Sequence, residues 1–316
     1  MNAAVVTAFD TPPRYLEIAE PVPADGEVVV DVVAAGLHPR VRSQADGSHY
    51  TSTDELPLVP GVDGVGRDPE GRLRYFVLHD TTQGSMAERT VIDPRRSVVL
   101  PDGVDPVAVA AAMNPAMSSW VALRRRIAFE AGQSVLVLGA TGNAGRTAVQ
   151  VAKLLGAGRV VAAGRNPERL GELPALGADA TVSLAGPPDD VAARLVGAAA
   201  DVDVVLDYVW GPTTTAAIVS VVTARPDRGK PLTWVEIGSM GGLEASIPSA
   251  ALRSARLQLV GSGQGSVSTP EIVTELAALI EEIARGSLAV DARAVPLADV
   301  ETAWAEPSAG RVVLVP

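Results

Sequence analysis

Residues 134–166 read SVLVLGATGNAGRTAVQVAKLLGAGRVVAAGRN, and this stretch decides the fold. The apolar run 135–138 is short enough to be a strand buried on both faces. A tight turn follows, Gly139-Ala140-Thr141-Gly142-Asn143-Ala144-Gly145. Next come about three turns of helix, with Ala148, Val151, Ala152 and Leu155 on one stripe. Gly156 and Gly158 stop that helix, and a second apolar strand runs over 160–163. Strand, glycine turn, helix and strand form the right-handed βαβ unit that holds a dinucleotide.

The turn differs from the commonest dinucleotide fingerprint, G-x-G-x-x-G, by Ala140 in place of the first glycine. Gly142 still lets the backbone approach a pyrophosphate, Gly145 lets the helix pack close to the sheet, and free N–H groups at the helix start attract phosphate charge. A tight βα turn without a ligand is the competing reading, and the strand–turn–helix–strand context favours the ligand. A site that prefers NAD places an acid about 20 residues further on, to bind the ribose 2′-hydroxyl. Here the chain has Gly164-Arg165-Asn166 and no acid. A carboxylate would repel a 2′-phosphate, whereas a guanidinium grips it with two charge-assisted bonds. The expected cofactor is NADPH; against it stands Arg165 as a plain solvated charge.

Composition narrows the class. A chain of 316 residues exceeds one comfortable core, so two domains are expected. Aromatic residues are only 3%, which leaves Ala, Val, Leu and Ile to build the interior. A formal charge of −11 argues against nucleic acid or an anionic membrane as partner. The absence of cysteine excludes disulfides, a thiol nucleophile and thiolate zinc sites. The opening MNAAVVTAFD has no signal-peptide pattern, and no run of about 20 apolar residues stands out as a membrane span. A soluble, cytoplasmic protein is expected.

Along the chain, 1–112 reads as β-rich, with strands expected at 4–9, 14–19, 27–35, 73–78, 85–92 and 97–100. Between Gly36 and Gly66, glycine and proline suggest an irregular path that carries His38, His49 and Tyr50. Two helices are expected next, 105–112 and 116–127, separated at Asn114-Pro115. From 134 to about 266, strands at 134–139, 159–164, 180–184, 202–207, 233–238 and 257–261 alternate with helices at 143–155, 167–176, 189–199 and 212–222. That alternation implies an α/β doubly wound parallel sheet. A final helix, 271–285, precedes β-like text. The expected domains are 1–113 with 271–316, and 114–270.

The motifs VPGVDGVG (59–66), GSMAERTV (84–91), the glycine turn, GADA (177–180), DVDVVLDYVWG (201–211), EIGS (236–239) and LVGSG (259–263) together resemble the medium-chain dehydrogenase/reductase superfamily, in its zinc-independent quinone-oxidoreductase-like branch. The closing ARAVPLADVETAW…GRVVLVP is similar to the family's return into its first domain. The resemblance implies a GroES-like catalytic domain and a Rossmann domain with the active site in the cleft between them. Zinc-dependent members carry a Cys where this chain has His38, a His where it has Val62, and a third ligand near Asn114; no zinc is therefore expected. A substrate carbonyl must then be polarised by hydrogen bonds.

His38 and Asn114 are the leading candidates for that task, and Tyr50 for donating a proton or shaping the pocket. Their bland counterparts are a structural His38, Asn114 as a helix cap, and Tyr50 as a packed wall. By the same resemblance Ser118 contacts the cofactor, Val209 packs on the nicotinamide, and Gly238 and Ser239 border it. Trp210 stands where relatives often have glycine, and the expectation is open between narrowing the cleft or stacking on a substrate ring and a plain structural aromatic. Asp63 orders its loop, and His79 is a surface residue. The expected activity is NADPH-dependent hydride transfer to a quinone or an α,β-unsaturated carbonyl. The alternatives are a carbonyl or tailoring reductase of a specialised metabolite, and a non-catalytic NADPH-binding sensor or scaffold. Relatives often dimerise through the Rossmann sheet edge, which leaves a homodimer open.

Overall fold

A computed structural model describes residues 1–306 and 310–316, so positions 307–309 of the expected 271–316 segment lie outside the described residues. The chain divides into two compact units, Met1–Asn114 with Val273–Pro316, and Pro115–Ile272.

The first unit begins with β1 (Asn2–Val5) and β2 (Arg14–Glu17), an antiparallel pair. Then come β3 (Val28–Leu37), α1 (Pro39–Ala45), β4 (Asp63–Arg67), β5 (Leu73–Val77), β6 (Arg89–Ile92), β7 (Ser97–Val99) and α2 (Pro106–Val121). Three expectations change here. The segment read as irregular contains α1, because Pro39 opens it and Val41, Gln44 and Ala45 bury one face at helical spacing. It also contains β4, whose glycines sit between β3 and β5. The strand expected at 85–92 pairs only over Arg89–Ile92.

The break expected at Asn114-Pro115 is not there. One helix, α2, runs through Pro115 and continues as a π-helical turn, Ala122–Arg126. The run Pro106–Arg126 is thus one helix of 21 residues, long and apolar enough by length and composition to cross a membrane, contrary to the reading from sequence. Within the structure most of it is buried, as in a core helix.

The second unit adds β8 (Ser134–Leu138), α3 (Asn143–Leu154), β9 (Arg159–Gly164), α4 (Pro167–Glu172), β10 (Ala180–Ser183), α5 (Pro188–Ala199), β11 (Val204–Asp207), α6 (Gly211–Ala224), β12 (Leu232–Glu236), α7 (Ser249–Ser254) and β13 (Leu257–Gly261). All six strands are parallel, in the order β10-β9-β8-β11-β12-β13. Val135–Leu138 and Val160–Ala163 are fully buried, as strands covered on both faces must be. Ala148, Val151 and Ala152 of α3 are buried as well, whereas Leu155, just beyond the helix, is half-buried.

The chain returns through α8 (Thr269–Ala284), whose Leu276, Leu279, Ile280 and Ile283 are buried. It then forms β14 (Ala292–Pro296), a short α9 (Val300–Ala305) that the sequence pattern did not suggest, and β15 (Arg311–Val315). The seven-stranded sheet has the order β14-β15-β3-β4-β5-β7, with β6 also paired to β3.

Gly36 sets how closely β3 approaches α2. A Cβ at this position would lie 2.8 Å from the Ala110 carbonyl oxygen, which is backbone and has nowhere to go. Gly36→Ala is expected to lower the unfolding free energy by about 1–3 kcal/mol, read as a lower urea midpoint with an unchanged m-value.

Candidate active site

In the second unit the topological switch falls between β8 and β11, where ligands of open α/β sheets bind outside the carboxyl ends. The chain leaving β8 is the glycine turn. The Gly139 and Ala140 N–H groups both donate to the Ala163 carbonyl at 2.9 Å, anchoring the turn to β9. Gly145 must lack a side chain, since its Cβ would collide with the Gly139 carbonyl oxygen. Gly142 precedes α3 without capping it by a side chain, and the N–H groups of Asn143, Ala144 and Gly145 have no protein acceptor among the described residues. Aligned with the helix dipole, these donors suit a pyrophosphate. The cradle and its open donors fit a dinucleotide.

Gly164 ends β9 against Thr141. Arg165 follows, exposed and without an ion pair among the described residues. Its neighbours are committed elsewhere. The Asn166 Oδ1 caps α4 by accepting the Arg169 N–H at 3.0 Å, Arg169 Nη1 donates to the Thr141 carbonyl at 3.0 Å, and Arg146 pairs with Glu172. Arg169 is a part of this corner that the sequence reading missed; its link to Thr141 spans 28 residues.

The chain leaving β11 is organised by Asp207, a fully buried carboxylate. Its Oδ1 accepts the N–H groups of Val209 (2.8 Å) and Trp210 (3.0 Å). Its Oδ2 accepts Thr214 Oγ1–H (2.6 Å) and the Trp234 indole N–H (2.9 Å). Val209 is half-buried, Gly238 donates its N–H to the Asp207 carbonyl, and Ser239 is exposed. Burial pushes the Tyr208 phenol up to about 12, against a hydrogen bond with Ser118 at 2.9 Å. Ser118 Oγ–H donates to the Pro115 carbonyl, so Tyr208 is the donor in that pair. Asn114 is half-buried and lies one helical turn before Ser118 in α2, on the same face. It is therefore mid-helix, and the cap reading of Asn114 does not hold.

The first unit holds a buried polar cluster. His38 Nε2 lies 3.1 Å from Asp63 Oδ1, and the Tyr75 hydroxyl donates to Asp63 Oδ2 at 2.6 Å. Burial raises the Asp63 carboxyl, but the bonds from His38 and Tyr75 and the Arg311 charge carry it below the usual carboxylate range. Burial lowers the His38 imidazole, outweighing the pull of Asp63. A neutral imidazole beside an ionised carboxylate places its proton on Nε2, which leaves Nδ1 a buried acceptor with no partner. His38 thus has no N–H to offer a substrate carbonyl in this arrangement.

Arg311 completes the cluster. Pro115 has no N–H for the Ala111 carbonyl four residues earlier, and Arg311 Nε donates to that oxygen at 3.2 Å. Burial brings the Arg311 guanidinium down to about 10, with Asp63 opposing. Tyr50 is not part of this cluster: it is 72% exposed and stacks on His49 with centroids 4.4 Å apart. His79 is exposed.

A zinc-binding dehydrogenase family model matches residues 144–282. The chain is 31% identical, over the whole of both proteins, to "Probable NADPH-dependent quinone reductase tdiC" of Emericella nidulans. The chain belongs to the quinone-oxidoreductase-like branch of the medium-chain dehydrogenase/reductase superfamily. It is also 30% identical to an NADPH-dependent alkenal/one oxidoreductase of Arabidopsis thaliana, over 52% of this chain and 47% of that one. The solved quinone oxidoreductase of Thermus thermophilus, also solved with NADPH, matches with a TM-score of 0.83 and 28% identity across 100% of both chains.

Within this quinone-oxidoreductase-like chain, Asp207, Tyr208, Tyr75 and Arg311 escaped the sequence reading as site groups. Asp207 and Tyr208 lie inside the quoted DVDVVLDYVWG motif, and an acid ending an apolar strand was the available signal. Arg311, 200 residues from the carbonyl it serves, gave none.

Removing Arg311 leaves a buried carboxylate uncompensated and the Ala111 carbonyl unsatisfied. Arg311→Met is expected to cost about 3–5 kcal/mol, and adding Asp63→Asn should recover part of it in a double-mutant cycle by urea unfolding. The histidines set a pH dependence. His38 and His49 both titrate below their ordinary value when folded, so the unfolded chain binds more protons as pH falls through about 6.5. Stability is therefore full above that pH and declines below it. His38→Asn should flatten the decline between about pH 7 and 5.5, measured by urea unfolding across that range.

Proposed function

We propose that this protein is an NADPH-dependent, zinc-free oxidoreductase that reduces quinones or α,β-unsaturated carbonyl compounds. The observation that carries it is Arg165, a guanidinium with no protein ion pair among the described residues, at the end of β9 beside the open donors of α3. The relatives named for NADPH-dependent quinone and alkenal/one reduction support the same reading. When bound, the cofactor supplies hydride to a quinone or to the β-carbon of an enone.

The chain's own residues divide the remaining work. The N–H groups of Asn143, Ala144 and Gly145 hold the pyrophosphate, with Ala140, Thr141 and Gly142 shaping the turn. Arg165 grips the 2′-phosphate, with Gly164 and Asn166 framing it. Ser118, Val209, Gly238 and Ser239 border the nicotinamide. The Asn114 amide donates to the acceptor's carbonyl oxygen, and the exposed Tyr50 hydroxyl serves the proton. His38 orients the start of α1 through Asp63, because its one N–H is already used. Zinc independence rests on His38, Val62 and Asn114 at the positions of the family's metal ligands, and on the absence of cysteine. The reading includes a cytoplasmic homodimer acting on small molecules.

The test follows NADPH absorbance against a panel of quinones and enals, before and after dialysis against a chelator. Turnover of one class or both, unchanged by the chelator, is expected; no turnover with either would overturn the proposal. Arg165→Glu should weaken NADPH binding by about 10- to 100-fold while sparing NADH. Unaltered NADPH affinity in titration would remove Arg165 from the site.

A further inference from the structure

Trp210 is the only non-glycine residue among the described residues with a positive φ, at φ 54° and ψ −168°. That conformation borders a region populated essentially by glycine alone. The chain has just four tryptophans, and one of them sits where the backbone asks for no side chain at all. The turn is held in place regardless: Asp207 Oδ1 accepts the Trp210 N–H, and Gly241 packs so closely that a Cβ on it would lie 3.0 Å from the Trp210 carbonyl oxygen. A strained position kept by a bulky residue points to a use for the side chain.

The indole N–H is uncommitted. The residue is half-buried, its N–H has no hydrogen-bond partner among the described residues, and it is absent from the buried polar atoms that lack one. Its ring edge therefore meets solvent. It follows Val209 directly and leaves the carboxyl end of β11, at the topological switch where a ligand of this sheet binds.

We propose that Trp210 is the residue that selects the acceptor, offering an indole face on which a planar aromatic ring stacks, so that the preferred substrates are quinones of aromatic ring systems rather than acyclic enals. This rests on the function proposed above. Every ring has a π-face, so stacking favours flat acceptors without reading their substituents. An acyclic enal offers no ring and gains nothing from the indole.

The experiment compares the wild-type protein with Trp210→Gly, Trp210→Ala and Trp210→Phe. The ratio of kcat/KM for an aromatic quinone to kcat/KM for an acyclic enal should fall about tenfold in Trp210→Gly and Trp210→Ala, the upper size of one stacked pair, and stay within about twofold in Trp210→Phe. NADPH affinity, measured by titration without acceptor, should be unchanged in all three. Trp210→Gly should also melt above Trp210→Ala, because both lack the indole and only Gly relieves the backbone. An unchanged ratio in the Gly and Ala variants, or a Phe variant that behaves like them, overturns the assignment. Failure of the wild-type protein to oxidise NADPH with either acceptor class would instead overturn the underlying function.

Discussion

A carboxylate taken out of water must be surrounded by donors, and Asp207 in one unit and Asp63 in the other impose that requirement on the candidate site residues around them. Asp207 is fully buried and accepts four hydrogen bonds, two from backbone N–H groups of the turn after β11 and two from the side chains of Thr214 and Trp234. Both lone-pair faces of each oxygen are thereby used, so the turn has one geometry rather than several. Asp63, the first residue of β4, does the equivalent, with donors from His38 and from Tyr75 of β5 and a cation, Arg311, close enough to act on its charge. In both places the acid is the hub and the nearby candidate site residues are its spokes.

The Arg311 link shows why such a hub reaches beyond its own neighbours. Pro115 leaves the Ala111 carbonyl without its helical donor, and an unsatisfied buried carbonyl costs about 1–3 kcal/mol. Arg311 supplies the missing bond from β15. The helix turn that carries Asn114 is therefore kept continuous by a residue from the far end of the chain. Arg165 has the same guanidinium and the opposite environment: it is exposed and unpaired among the described residues, and only that state suits a ligand phosphate. Burial and partners, and not residue type, separate the structural arginine from the one proposed to bind the cofactor.

What could be read from the sequence was local and periodic. The buried strands β8 and β9, the glycine turn between β8 and α3, and the stripe of α3 all follow from spacing within a dozen residues. The α/β alternation then implied the parallel sheet. What failed was the text in which glycine and proline mislead. Pro39 and Pro115 read as breaks, yet the first opens α1 and the second is tolerated inside α2 through a bond made 200 residues away. Gly64 and Gly66 read as loop and lie in β4, because the flanking strands supply the pairing. At the candidate site, Arg165 is proposed on charge at one known distance from the glycines, and the fold adds only that it is exposed and without an ion pair among the described residues. His38 was legible as a position and not as a role, since its tautomer depends on Asp63 and so on the folded chain.

Trp210 tests how far a local rule can be broken. Its backbone strain is on the order of 1–3 kcal/mol, and the left-handed turn should by itself prefer glycine. A hydrogen bond to a charged acceptor contributes about 1.5–3 kcal/mol, and Asp207 makes two of them to the N–H groups of Val209 and Trp210. Those bonds are formed by backbone groups, so they hold the turn whatever side chain follows. The strain is thus offset by an anchor that is indifferent to residue 210. Selection at that position is free to act on the side chain alone, which is how an indole can stand where the backbone favours a glycine.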